Sequence, residues 1–97
     1  MFDLDLYPPA KAALARLRQE PALQKRFKAV SKALRLLASN PRHPGLQTHE
    51  WHGDLCPHGG KMFEAYAENR TPGAYRIFWC YAPTPRTILV IDIVPHP

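Results

Sequence analysis

Two polar residues near the C-terminus, Arg76 and His96, have side chains suited to phosphate chemistry. Arg76 interrupts the aromatic run Ala74–Tyr81, and His96 follows the apolar run Thr87–Val94. A guanidinium binds phosphate oxygens through parallel hydrogen bonds, and an imidazole exchanges a proton near neutral pH. RNA carries its own nucleophile, the 2′-hydroxyl, so its cleavage requires a base, a cation and an acid. Arg76 fits the cation and His96 fits the acid.

Further candidates complete this hypothetical site. A carboxylate would serve as the base, and both Glu64 and Glu50 are available in the preceding segments. Glu64 belongs to the neighbouring run of strand-forming residues, whereas Glu50 ends the segment before it. Three cations are candidates for binding the flanking phosphates of RNA: Lys61, Arg70 and Arg42.

Simpler interpretations of the two central residues stay open. An arginine in a strand often pairs with a carboxylate on the next strand, and here Asp92 or Glu64 would serve. A histidine close to the end of a chain, flanked by prolines as His96 is, is often only a tail residue. The residue types alone do not separate these interpretations from a catalytic pair.

Metal binding is the other chemistry that the sequence raises. Several possible ligands lie within ten residues of one another, with one more nearby: His49, His52, Cys56, His58 and His43. Their spacing matches no common zinc module and includes one thiolate, so it favours solvated loop histidines. We therefore expect no metal and no cofactor.

The length, charge and cysteine content of the chain favour a small, basic, single-domain protein. The chain has 97 residues, 45% of them hydrophobic, which predicts a single domain over residues 1–97. Thirteen Lys and Arg against eight Asp and Glu give a net charge of +5, which favours an anionic partner. The two cysteines lack framework spacing, so we expect them to be reduced. With no signal peptide and no membrane span, we expect a cytoplasmic protein.

Hydrophobic periodicity predicts two helices between strands. Alternation at Phe2–Leu6 predicts a strand, and apolar stripes predict helices at Lys11–Glu20 and Ala22–Ser39. An irregular segment is expected over His52–Gly60 and a strand at Lys61–Ala67, with an optional extra short strand within Leu46–Trp51. With the two C-terminal runs, the order is β-α-α-β-β-β. It predicts an α+β fold with both helices on one face of an antiparallel sheet.

Side-chain alternation assigns the C-terminal residues to the two faces of that sheet. Leu89, Ile91 and Ile93 are expected to face the helices. Arg76 and His96 are then expected on the uncovered face, together with Asp92. This assignment assumes that no bulge shifts the register.

The predicted element order resembles that of the RelE/ParE superfamily of bacterial toxins. The likeness also covers NPRHPG with the following LQTH, the YRIFW motif and the terminal IDIVPHP. It implies that Arg76 stabilises the scissile phosphate and that His96 acts in the same site, as in YoeB-like members. It further implies mRNA cleavage at the ribosome and inhibition by a cognate antitoxin, with no membrane association.

The same resemblance allows a different function. ParE members share the fold but poison DNA gyrase, so a gyrase-inhibiting or otherwise non-catalytic protein is the alternative. YoeB-like chains also carry an aromatic residue after the histidine, where this sequence has Pro97. That difference favours the alternative.

Overall fold

The computed structural model describes residues 1–96. The elements are β1 (Asp3–Leu6), α1 (Pro8–Gln19), α2 (Gln24–Ser39), β2 (His49–Leu55), β3 (Lys61–Tyr66), β4 (Tyr75–Tyr81) and β5 (Thr87–Pro95). The predicted α+β class and the order of strands and helices are confirmed. The optional short strand is β2, which extends to Leu55. The prediction of an irregular segment from His52 is therefore wrong for its first four residues, because β2 pairs with β3 across a register shift.

Both helices begin and end close to prolines. Pro8 and Pro9 occupy the first turn of α1, where a missing N–H leaves no hydrogen bond unmade. Pro21 opens a short 3₁₀ turn that leads into α2. The buried side of α2 carries an apolar stripe that packs, with α1, against one face of the sheet: Val30, Ala33, Leu34 and Leu37. Hydrophobic burial on this face holds the helices to the strands.

The five strands form one mixed sheet in the order β1-β5-β4-β3-β2. β2 to β5 pair antiparallel, whereas β1 pairs parallel to β5. The sheet was expected to be antiparallel throughout. It is mixed because the two helices carry the chain from β1 to the opposite edge, and β5 returns beside β1 in the same direction. We call the sheet face away from the helices the open face.

A bulge in β5 changes which side chains reach the core. Phe78 lies opposite Asp92, but the next residue, Trp79, lies opposite Val90. Ile91 is therefore the extra residue of a β-bulge, and the alternation of side chains shifts at this point.

The bulge makes part of the predicted face assignment wrong. Ile88 and Val90 are fully buried under the helices, whereas Leu89 and Ile91 pack on the open face. Only Ile93 has the predicted helix-facing position. Beyond the bulge the alternation agrees with the prediction again, so the shift affects only the first half of β5.

A disulfide joins Cys56, in the loop after β2, to Cys80 of β4, with Cα atoms 6.3 Å apart. The prediction of two reduced cysteines is wrong for this structure. The two cysteines are 24 positions apart, and the residues between them carry no local signal that the loop returns to the middle of β4. No helix within residues 1–96 is long and apolar enough to cross a membrane.

Candidate functional site

The register of β3, β4 and β5 brings Arg76 and His96 to the open face. Arg76 lies between Tyr66 of β3 and Val94 of β5. The His96 N–H donates to the Ala74 carbonyl at 2.7 Å, which continues the β4–β5 pairing past the end of β5. Since successive side chains alternate, His96 lies on the same side as Val94 and therefore as Arg76.

Arg76 is buried rather than exposed. Its relative exposure is 8%, and its guanidinium carbon lies 3.7 Å from the centroid of the Tyr66 ring. Nη1 donates to the carbonyl of Glu68 at 2.6 Å and to that of Tyr75 at 3.4 Å. Within residues 1–96, its buried Nε has no hydrogen-bond partner. The prediction of an accessible Arg76 is wrong, because the neighbouring strand β3 and the turn that follows it cover the side chain.

The simpler interpretation, a cross-strand ion pair, is not what holds Arg76. Among the described residues it pairs with neither Asp92 nor Glu64. Asp92 instead accepts from the backbone N–H of Ile93 at 2.9 Å. Stacking on an aromatic ring and hydrogen bonds to backbone carbonyls position the guanidinium.

Glu64 and His49 form a hydrogen-bonded pair on the open face. Glu64 is 6% exposed, and His49 Nε2 lies 2.7 Å from its Oε1. His49 Nδ1 lies 3.1 Å from the Gln47 carbonyl oxygen, and its ring meets the Tyr66 ring edge-on. Both ring nitrogens face acceptors, so both donate only when the ring carries two protons. Tyr66 thus separates this pair from Arg76.

Glu50 and Lys61 lie on the other face of the sheet. Glu50 is opposite Phe63, whose ring stacks on the core residue Trp79. Glu50 Oε1 is 3.7 Å from Lys61 Nζ, and Oε2 is 3.5 Å from His52 Nδ1. The prediction that Glu50 and Lys61 could share a site with Arg76 is wrong, because strand alternation turns them to the helix side.

The two remaining arginines lie elsewhere. Arg42 lines a groove of about 320 Å³ on the helix side, together with Glu50 and the aromatic residues Phe63 and Trp79. Arg70 is exposed in the turn between β3 and β4, where its φ is 58°. Of the seven predicted residues, the open face therefore carries three: Arg76, His96 and Glu64.

We call Arg76, Glu64 and His96, with the adjoining His49 and Tyr66, the open-face cluster. The sequence did not indicate His49 and Tyr66 as members of it. From the sequence alone, His49 is only a candidate metal ligand, and Tyr66 is only one residue of the strand predicted at Lys61–Ala67. The alternation of β3, which puts Glu64 and Tyr66 on one side, was the available signal. The position of His49 needed the β2–β3 register, which pairs it with Glu64. Pro97 lies outside the described residues.

Comparison with known proteins identifies the fold. Neither protein-family models nor curated proteins match the sequence. Among solved structures, a YoeB/ParE toxin from Agrobacterium tumefaciens superposes over 100% of both chains, with a TM-score of 0.69 and 10% identity. The RelE–RelB complex of Pyrococcus horikoshii OT3 gives a TM-score of 0.64 and 13% identity, over 97% of this chain and 93% of that one.

A third structure shares this architecture. The intact Escherichia coli RelBE toxin–antitoxin complex gives a TM-score of 0.61 at 15% identity, over 100% of this chain and 99% of that one. At such low identities the likeness is one of backbone architecture. The resemblance predicted from the YRIFW motif and the element order is confirmed at this level, and the chain has the fold of the RelE/ParE toxins.

Proposed function

We propose that this protein is the toxin of a toxin–antitoxin pair and that it cleaves RNA through attack of the 2′-hydroxyl. The observation that carries the proposal is the placement of Arg76, Glu64 and His96 on the same face of the sheet, the open face. These side chains supply the cation, the base and the acid that the reaction needs. The fold and the net charge of +5 agree with a basic toxin that binds RNA.

Each residue has one task in this reaction. The His49–Glu64 pair receives the proton of the 2′-hydroxyl, with Glu64 as the carboxylate base. Arg76 stabilises the charge that develops on the pentacoordinate phosphorus, and His96 protonates the departing 5′-oxygen. A guanidinium has five N–H donors, and Nη1 bonds to two carbonyls, so donors remain for phosphate oxygens. Losing one preorganised donor of this kind costs about 3–4 kcal/mol at the barrier.

The proposed substrate is mRNA, cut at the ribosome, in the cytoplasm. Arg70, in the exposed turn after β3, is the proposed contact to a flanking phosphate. Arg42 and Lys61 lie toward the helix side, so they would serve only RNA that continues around the β2 edge. Phosphate contacts by such cations bind RNA without reading its sequence.

The proposed partner is a cognate antitoxin that covers the open face. This face carries a largely apolar groove of about 420 Å³ beside the site, lined by Trp51, Met62, Phe78, Ile91 and Val94 and also by the carboxylates Asp54 and Asp92. The apolar side of an amphipathic segment would fit the groove, and acidic residues placed away from Asp54 and Asp92 would match the net charge of +5. Co-expression with the product of an adjacent small reading frame tests this pairing, since an antitoxin must co-purify with the chain.

Mapping mRNA 5′ ends after induced expression tests cleavage. We expect codon-phased cuts in wild type and a loss of at least about 100-fold in His96→Gln, the usual size of an acid–base contribution. Glu64→Gln and Arg76→Lys should also lose cleavage. His52→Gln is the matched control, because His52 is exposed and lies outside the open-face cluster. Growth arrest with intact mRNA would refute the ribonuclease.

A gyrase-inhibiting or otherwise non-catalytic toxin is the second candidate. One observation favours it: Arg76 and Glu64 already have partners within the protein, namely Tyr66 and His49. Contacts of this kind stabilise the fold, so they explain the positions of both residues without any catalytic role. Inhibition of purified gyrase in a DNA supercoiling assay, with accumulated DNA breaks in cells, would establish this function in place of RNA cleavage.

A further inference from the structure

We propose that the two thiols of the reduced protein, Cys56 and Cys80, bind one zinc-like metal ion together with His58. Their two sulfur atoms and an imidazole nitrogen lie within 4.8 Å of one another. Two thiolates and one imidazole are a common ligand set for zinc, and they leave one tetrahedral position for water or another small ligand. This site is separate from the open-face cluster, and the proposal goes beyond the toxin function.

The loop after β2 is folded as a tight turn that directs two of the ligands. The Cys56 N–H donates to the Gly60 carbonyl at 2.9 Å, and the Gly59 N–H donates to the Cys56 carbonyl at 2.8 Å. Gly59 has φ +92°, which glycine adopts without strain. The ring of His58 folds back over Gly60, where an added Cβ would lie 2.7 Å from Nε2. The two glycines thus allow His58 to approach the sulfur atoms.

The surroundings of the three ligands suit a bound ion. Cys56 is 3% exposed and Cys80 is 0% exposed, and they pack with Leu89 and Ile91. This apolar side excludes water from the thiolates, while the exposed His58 leaves an entry path from solvent. An ion here would tie the loop between β2 and β3 to the centre of the sheet.

The disulfide between Cys56 and Cys80 is the competing state of the same two sulfur atoms. Thiol–disulfide exchange converts one state into the other. The metal-bound dithiolate, one small-molecule disulfide and two protons give the protein disulfide, two small thiols and the free ion. Metal binding and disulfide formation therefore exclude each other, and a reductant with added metal restores the bound state.

This cluster differs from the group of possible ligands that the sequence raised, which comprised His43, His49, His52, Cys56 and His58. His49 and His52 lie outside the cluster, because His49 binds Glu64 and His52 lies beside Glu50. Cys80 is 24 residues from Cys56 along the chain, so the spacing of ligands within the loop does not include it. Within residues 1–96, the tertiary fold brings Cys80 next to Cys56 and His58.

Titration of the reduced full-length chain with Co²⁺ tests the proposal. A phosphine reductant avoids competing thiols, and a thiol assay must first count two free thiols per chain. We expect one Co²⁺ per chain with thiolate-to-metal charge-transfer absorption, displaced by Zn²⁺. Cys80→Ser should abolish this absorption. His58→Ala should weaken binding by at least about 10–100-fold, the loss already seen when a supporting residue is removed.

Controls separate a ligand role from a folding defect. His52→Ala removes an exposed histidine near Glu50 and should bind Co²⁺ like wild type. The oxidised wild type, which is folded, should bind none. The proposal is overturned if reduced wild type shows no thiolate absorption, or if His58→Ala binds as tightly as wild type. A native chain whose disulfide resists the reductant would overturn it as well.

Discussion

A double-mutant cycle on Arg76 and Tyr66 measures how firmly the proposed phosphate-binding cation is already held. Arg76→Met keeps an unbranched apolar stem, and Tyr66→Leu removes the aromatic face beneath the guanidinium. The guanidinium carbon lies 3.7 Å from the ring centroid, and Arg76 is 8% exposed. Cation–π contacts contribute about 0.5–1 kcal/mol when exposed and about 2 kcal/mol when desolvated. We therefore expect a coupling free energy of about 1.5–2 kcal/mol.

The single substitution Arg76→Met should cost more than this coupling. It also removes the 2.6 Å hydrogen bond to the Glu68 carbonyl, and hydrogen bonds from charged groups contribute about 1.5–3 kcal/mol. The expected total is about 3–5 kcal/mol, a large part of the about 5–15 kcal/mol by which domains are stable. Loss of toxicity in Arg76 variants must therefore be corrected for loss of folded protein, whereas His96→Gln, at an exposed position, is a cleaner test of chemistry.

Urea unfolding of the four proteins, followed by tryptophan fluorescence, provides the free energies. The control cycle pairs Arg76→Met with Tyr81→Leu, five residues along the same strand, where the two effects should add within about 0.5 kcal/mol. A coupling between Arg76 and Tyr66 that also lies within about 0.5 kcal/mol of zero would refute the stacking argument. Arg76 would then be available to a phosphate at little cost.

Three further substitutions test other parts of the structure by chemical unfolding. Arg26→Met should destabilise by about 2–3 kcal/mol, because Arg26 bonds Glu68 at 3.1 Å and two carbonyls of the β3–β4 turn; exposed Arg35→Met on the same helix should change stability by less than about 0.5 kcal/mol. Trp79→Phe should lower the free energy of unfolding by about 1 kcal/mol or less, because the buried Nε1 has no hydrogen-bond partner within residues 1–96 and its removal breaks no hydrogen bond. A loss above about 3 kcal/mol, the size of a large core truncation, would contradict this. Gly59→Ala should cost at least about 1–2 kcal/mol through its positive φ alone, because no atom lies within 4 Å of the added Cβ; an unchanged unfolding midpoint would contradict it.

The local sequence was enough to predict the elements and their order. Proline positions and the apolar stripe of α2 act within one or two turns of helix, so they are visible without the fold. The aromatic and apolar runs near the C-terminus predicted β4 and β5 within one residue of their observed ends. The motif YRIFW and the element order indicated the RelE/ParE fold, which structural similarity confirms. The catalytic roles of Arg76 and His96 stay predictions.

Contacts between distant segments decided everything else about the site. The bulge at Ile91 depends on how β5 pairs with β4, and the burial of Arg76 depends on Tyr66 from another strand. Likewise, Cys56 and Cys80 meet only because the loop after β2 folds back onto the sheet. The sequence by itself determined that Arg76 shares a strand face with Phe78 and Cys80, since alternation within one strand is local. That His96 lies on the same face depends on how β5 pairs with β4. Only the tertiary structure decided that Arg76 stacks on Tyr66 and donates to the Glu68 carbonyl, because both partners lie outside its own strand.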